Sequence, residues 1–198
     1  MADVPINSGR RRFLTGSAVA VGAVGAGFAT VPFLSSFEPS ARAEAAGAPV
    51  DVNIGKLAEG QMVTVAWRGQ PIYVVHRTDK MVETLPSLDS QLLDPDSAVA
   101  TQQPKFADNF YRSRKKNIFV VVGICTHLGC APTYRPEVAP KDLGPDWKGG
   151  FFCPCHGSKY DLAGRVYKSM PAPLNLLVPD YIFATDDIVR IGVAEKKA

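Results

Sequence analysis

The stretch "CTHLGC" at residues 125–130 and its counterpart "CPCHGS" at residues 153–158 hold all four cysteines of the chain and two of its three histidines. A sequence so sparing with both residue types does not gather six of the seven into two hexapeptides by chance. What these two loops hold governs the reading of everything around them.

The first loop reads Cys-x-His-x-x-Cys and the second Cys-x-Cys-His. Three chemistries use such a set. A structural zinc site takes four ligands, commonly from Cys-x-x-Cys pairs, but here there are six candidates and neither pair has that spacing. Two plain disulfides suit an exported domain and leave a histidine beside each pair without a purpose. A [2Fe–2S] cluster with two Cys on one iron and two His on the other leaves two Cys to pair with each other. It alone uses all six residues.

Around the loops the pattern is strand-like. "NIFVVVGI", residues 117–124, is a continuous apolar run leading into Cys125 and predicts a buried strand. "MVTVAW" and "PIYVVH", joined by "RGQ", predict a β-hairpin. Further strand candidates are "GGFFC", "GRVYK", "LNLLVP", "YIFAT" and "IVRIGV", the last two separated by a turn at Asp186-Asp187. The helix-compatible stretch is "TDKMVETL", followed by a polar loop with prolines up to residue 108. Many short strands with frequent Gly and Pro predict an all-β sandwich or small barrel. His76 ends a hairpin strand with no ligand type near it in sequence, so it is read as structural and outside the site.

The N-terminal segment is different in kind. Three arginines, residues 10–12, precede a run from 13 to 37 without a charge. At about 1.5 Å per residue such a helix reaches roughly 37 Å, enough to cross a hydrocarbon core of about 30 Å. Arginines in front place residues 1–12 in the cytoplasm and everything after the anchor on the other side. "ARA" at residues 41–43 offers a cleavage site, but the apolar run is longer than a signal core, and an uncleaved anchor is the expectation. Residues 38–49, rich in small residues, read as a flexible or loosely helical tether, and 50–198 as the outer domain.

Composition limits the alternatives. Hydrophobic residues make up 46% of the 198-residue chain and charged ones 21%, which suits a folded protein rather than general disorder. The net charge is only +3 and no long basic run occurs, so nucleic-acid binding has no electrostatic footprint.

The paired motifs "CTHLGC" and "CPCHGS" resemble the Rieske iron–sulfur proteins, specifically the quinol-oxidising cytochrome bc type. "WRGQPIYVVHRT" resembles the start of that family's soluble domain, "MPAP" its proline loop over the cluster, and "RRRFL" a twin-arginine export signal. The resemblance implies a Rieske-type antiparallel β-sandwich with a small cluster-binding subdomain at about residues 123–175, carried on a single N-terminal transmembrane helix. It implies one [2Fe–2S] cluster, with Cys125 and Cys153 on one iron and His127 and His156 on the other, and a Cys130–Cys155 disulfide joining the loops. Neutral imidazoles in place of two thiolates put such centres at about −150 to +300 mV, against about −400 mV for plant-type ferredoxins. Ser158 and Tyr160 are expected to donate hydrogen bonds to sulfur and raise the potential further. His156 is expected to take the hydrogen bond from quinol, with Leu128 beside it.

The implied activity is that of the iron–sulfur subunit of a quinol–cytochrome c oxidoreductase, a respiratory translocase. The implied partners are a cytochrome b, a c-type cytochrome, quinol at the cytochrome b interface and the lipid bilayer, in a dimeric parent complex. The implied location is the bacterial inner membrane, single-pass, with a periplasmic Rieske domain. Met170 stands where the family's proline loop has glycine, which bears on that loop's turn; residues 134–150 are expected to be a surface insertion. Two rival readings are a Rieske subunit of another exported oxidoreductase, such as arsenite oxidase, and a membrane-anchored structural metal-binding module.

Overall fold

In the computed structural model, which describes residues 7–194 (Ala46 by its backbone only), the two longest helical and extended stretches begin where local chemistry starts them. Residues 1–6 of the expected cytoplasmic segment and 195–198 of the expected outer domain lie outside the described residues. The chain divides into two units, Met1–Ala45 and Ala46–Ala198.

The first unit is dominated by helix α1, Ser8–Ser35, long and apolar enough to cross a membrane, with none of its residues buried. It starts earlier than the apolar run because the Asn7 side chain caps it, accepting from the Arg10 amide at 3.1 Å. The three arginines therefore lie within the helix rather than ahead of it. A short helix α2, Ala41–Gly47, follows in the expected tether, and Ser40 caps its start by accepting from the Ala43 amide at 3.2 Å.

The second unit is built from three antiparallel sheets of three strands each. The central sheet orders β2 (Met62–Trp67), β3 (Gln70–His76) and β4 (Ile118–Val122). The β2–β3 turn is tighter than "RGQ" implied: Arg68 and Gly69 make it with φ of 51° and 73°, the paired left-handed geometry that matches strand twist, and Gln70 joins the strand. All five residues of β4 are buried, as its unbroken apolar run requires. A second sheet pairs β1 (Val50–Asn53), β9 (Ile188–Ile191) and β8 (Tyr181–Thr185). The third, β5 (Thr133–Arg135), β6 (Gly150–Phe152) and β7 (Lys159–Tyr160), carries the roots of the two cysteine loops. The short helix α3, Asp79–Thr84, forms within the expected stretch, with Thr78 accepting from the Met81 amide at 3.1 Å.

Three expectations need correction. "GRVYK" and "LNLLVP" form no strands, because their backbone bonds go to different partners. Val166 bridges Tyr160 while Tyr167 bridges Leu92. The Leu176 amide donates to Gly164, Val178 to Gln102, and Leu177 accepts from Val122, so no ladder repeats. Residues 134–150 are also more than a surface insertion. Trp147 is 2% exposed and forms a second core with Leu88, Leu92, Leu143 and Tyr167. Its indole N–H donates to the Arg135 carbonyl at 3.1 Å, and Arg135 grips Asp142 at 2.8 and 3.0 Å, closing the segment on itself.

Three fully buried arginines fasten the long segment 79–113 to the cluster side of the domain. Arg77 donates to the carbonyls of Tyr111, Leu162 and Lys116, and Arg112 to those of Ala163, Gln102 and Leu176. Desolvation lowers both guanidinium pKa values to about 10, so both remain charged at neutral pH. Arg165 is held by the buried Asp161 at 2.8 Å and by Asp89 at 2.9 Å.

Candidate metal centre

Each cysteine loop grows from the end of a strand and closes the same way. After β4, the Cys125 amide donates to the Cys130 carbonyl at 2.8 Å and the Gly129 amide returns to the Cys125 carbonyl at 3.0 Å. After β6, the Cys153 amide donates to the Ser158 carbonyl at 2.8 Å and the Gly157 amide to the Cys153 carbonyl at 2.9 Å. Gly129 and Gly157, each four residues after the first cysteine, have φ of 85° and 75°, a left-handed geometry that glycine adopts without penalty.

The closures bury the first cysteine of each loop and leave Leu128 and Gly129 of the first, and Pro154, Cys155 and His156 of the second, exposed. Cys125 is 3% and Cys153 1% exposed, and both are free thiols. Cys130 and Cys155 are joined in a disulfide across 25 residues of chain, tying loop to loop. The sulfurs of Cys130, Cys153 and Cys155 lie within 4.8 Å of one another, but two of these are bonded together and have no thiolate to offer a metal. At the outer side the rings of His127 and His156 meet edge to face with centroids 4.7 Å apart. The Nδ1 of His127 is buried and has no hydrogen-bond partner among the described residues. A buried imidazole nitrogen left bare is a ligand atom in waiting. Leu128 stands beside the histidines with 71% of its surface exposed.

Hydroxyls line the inner side. The Tyr160 hydroxyl sits 3.2 Å from the Cys125 sulfur and accepts from the Thr126 amide at 3.2 Å. The Thr126 hydroxyl gives its own proton to the Leu174 carbonyl at 2.7 Å. Tyr160 therefore has its proton for either the Cys125 sulfur or the Thr126 oxygen, 3.3 Å away, and burial raises its pKa so that the proton stays. Thr126 was not legible as a contributor: a threonine between two ligand residues has no distinctive spacing. Ser158 is fully buried, and its oxygen accepts from the Ala172 amide at 3.2 Å, which leaves its O–H to donate elsewhere. That bond also pins the proline loop over the site. In this loop the positive φ, 58°, falls on Ser169 rather than on Met170, so the methionine needs no strained backbone. Met170 packs half-buried against both cores instead. His76 is bonded elsewhere: its Nδ1–H donates to the Leu57 carbonyl at 2.7 Å.

Comparison with known proteins gives a consistent result. Residues 49–181 match the Rieske [2Fe-2S] domain, and residues 6–40 match the "Ubiquitinol-cytochrome C reductase Fe-S subunit TAT signal". The ubiquinol-cytochrome c reductase iron-sulfur subunit of Allochromatium vinosum is 55% identical over 192 residues, 97% of this chain and 92% of its own. Its counterparts in Blastochloris viridis and Rhodospirillum rubrum are each 43% identical, covering 92% and 93% of this chain and 92% of theirs.

The residues fit a [2Fe–2S] cluster. Two buried thiols lack disulfide partners, two imidazoles meet nearby, and one of their nitrogens is buried and bare. Desolvation raises the Cys153 thiol's pKa, so a sulfur anion in this pocket would need a cation beside it, as iron would supply.

Proposed function

The chain belongs to the Rieske iron–sulfur subunits of ubiquinol–cytochrome c reductase, and on that premise we propose that His156 takes a hydrogen bond and then a proton from quinol while the electron enters this chain. The chain carries one Rieske [2Fe–2S] cluster and works as an electron carrier within the reductase. When bound, the cluster supplies a one-electron acceptor of high potential.

Cys125 and Cys153 would hold one iron and His127 and His156 the other. The observation that carries this reading is the division of the paired loops into a dry side and a wet one. The two free thiols are buried, whereas His156 and Leu128 are exposed. With one nitrogen of His156 on iron, its other nitrogen is left to hold a proton at the surface. Leu128 would exclude water beside that nitrogen and pack against the quinol ring. Tyr160, with its hydroxyl against the Cys125 sulfur, and Ser158, with its O–H free, would donate to the sulfurs of the bound group and so raise its potential. The electron taken up by this chain would pass to a c-type cytochrome, and the second electron of quinol to a cytochrome b.

The chain is an anchored, exported subunit; in this reading the membrane is the bacterial inner membrane, with residues 1–12 on the cytoplasmic side, an orientation that arginines at the start of the apolar run favour. Residues 38–49 take up the motion that visiting both quinol and haem demands. The parent complex is a dimer in this reading.

The test is a redox titration of the reductase at several pH values, followed by low-temperature EPR. A midpoint potential falling by about 59 mV per pH unit at alkaline pH shows one proton bound per electron. A potential independent of pH would remove the proton from the role given to His156.

A further inference from the structure

Tyr73, in the middle of β3, touches the roots of both cysteine loops. It pairs with Val121 across the central sheet, two residues before Gly123. Its ring lies directly against Gly123: a Cβ added there would come within 2.3 Å of the tyrosine Cζ. Its hydroxyl donates to the buried carbonyl of Pro132 at 3.0 Å. Gly123 lies two residues before Cys125 and Pro132 two residues after Cys130, so one side chain grips the first loop where it enters and where it leaves. The same ring stacks on Phe151 with centroids 6.0 Å apart and planes 14° from parallel. Phe151 stands two residues before Cys153, at the root of the second loop.

These contacts differ in what they need. The stacking and the close approach to Gly123 need only a ring, and phenylalanine would supply both. The grip on Pro132 needs the hydroxyl, and burial keeps that hydroxyl protonated as a donor.

We propose that Tyr73 is a positioning residue for the cluster, setting the separation of the two loops through Gly123, Pro132 and Phe151 and thereby the reduction potential of the metal they hold. The inference rests on the reading that Cys125, His127, Cys153 and His156 are the ligands. Releasing Pro132 loosens the first loop at its exit, and Cys125 then drifts from the Tyr160 hydroxyl. That bond favours the reduced state, so the potential falls.

The experiment is an EPR-monitored redox titration of the full chain in its membrane, as wild type and as Tyr73→Phe. Tyr73→Phe is expected to keep its iron but to shift the one-electron equilibrium about threefold toward the oxidised form, about 28 mV at 59 mV per tenfold. The g values of its reduced signal should move with it. Gly123→Ala, which drives a methyl into the ring, should shift the potential the same way and further. A wild-type potential and spectrum in Tyr73→Phe, even with a lowered melting temperature, would reduce Tyr73 to ordinary core packing and overturn the proposal. A wild-type chain without the signal of a His-ligated cluster would sink the ligand assignment and the proposal together.

Discussion

The two cysteine loops share a backbone and divide the chemistry unequally. Both close by an amide-to-carbonyl bond from the first residue to the sixth, and both turn on a left-handed glycine at the fifth. In each, the first residue is a buried cysteine. The remaining positions differ: histidine is third in the first loop and fourth in the second, and the bridging cysteine is sixth in one and third in the other. The position left over in the second loop is Ser158, a buried hydroxyl where the first loop has its disulfide sulfur. One backbone therefore presents a buried cysteine and a histidine twice, with the histidine at a different offset in each loop.

If the loops are equal partners in holding iron, removing either inner sulfur should have the same result. Cys125→Ser and Cys153→Ser are each expected to lose nearly all iron and sulfide, read by metal analysis of the purified chain. Retention of full iron in one of them would show the loops to be unequal. Untying the loops has the next largest effect. Closing a 25-residue loop is worth about 3.5 kcal/mol of stability. The double substitution Cys130→Ser, Cys155→Ser should lower the unfolding free energy by about that amount in a denaturant titration, and iron should be lost faster.

Smaller effects separate the hydroxyls. Ser158→Ala and Tyr160→Phe each remove a donor that favours the reduced state. A charge-assisted hydrogen bond is worth about 1.5 kcal/mol, so each should lower the reduction equilibrium roughly tenfold, about 60 mV, with the iron retained. A redox titration of each variant ranks them. Least affected should be the glycine variants. Gly129→Ala and Gly157→Ala meet no atoms within 4 Å and carry only left-handed strain, about 1 kcal/mol each. Equal shifts in denaturation midpoint would confirm the common backbone; a large difference would break it.

The residues of the site were legible because cysteine and histidine are rare here and were concentrated in two places. Their surroundings were less so. The β2–β3 hairpin follows from alternation and β-branched residues, and β4 from its apolar run, both local signals. Residues 164–179 carry the same residue types, yet Tyr167, Lys168, Leu176 and Val178 donate to Lys159, Gln91, Gly164 and Gln102 in turn, and no local pattern encodes that. Arg77, Arg112 and Arg165 carry no signal in the sequence, since only the folded chain brings a set of carbonyls to each buried guanidinium. Trp147 lay among Pro, Gly, Lys and Asp, a context that reads as loop, and its burial depends on Leu88 and Leu92 from far along the chain.

The strand that follows the tether is held by the last strand described. β1 pairs with β9 from Val50 opposite Ile191 to Asn53 opposite Ile188, and Asp51 is clasped by Arg190 at 2.6 and 2.7 Å. A pull transmitted along residues 38–49 reaches the domain at Val50 and loads that pairing lengthwise, with several bonds sharing the force instead of parting one by one. The domain can thus be tugged by its leash without fraying from the end at which it is tied.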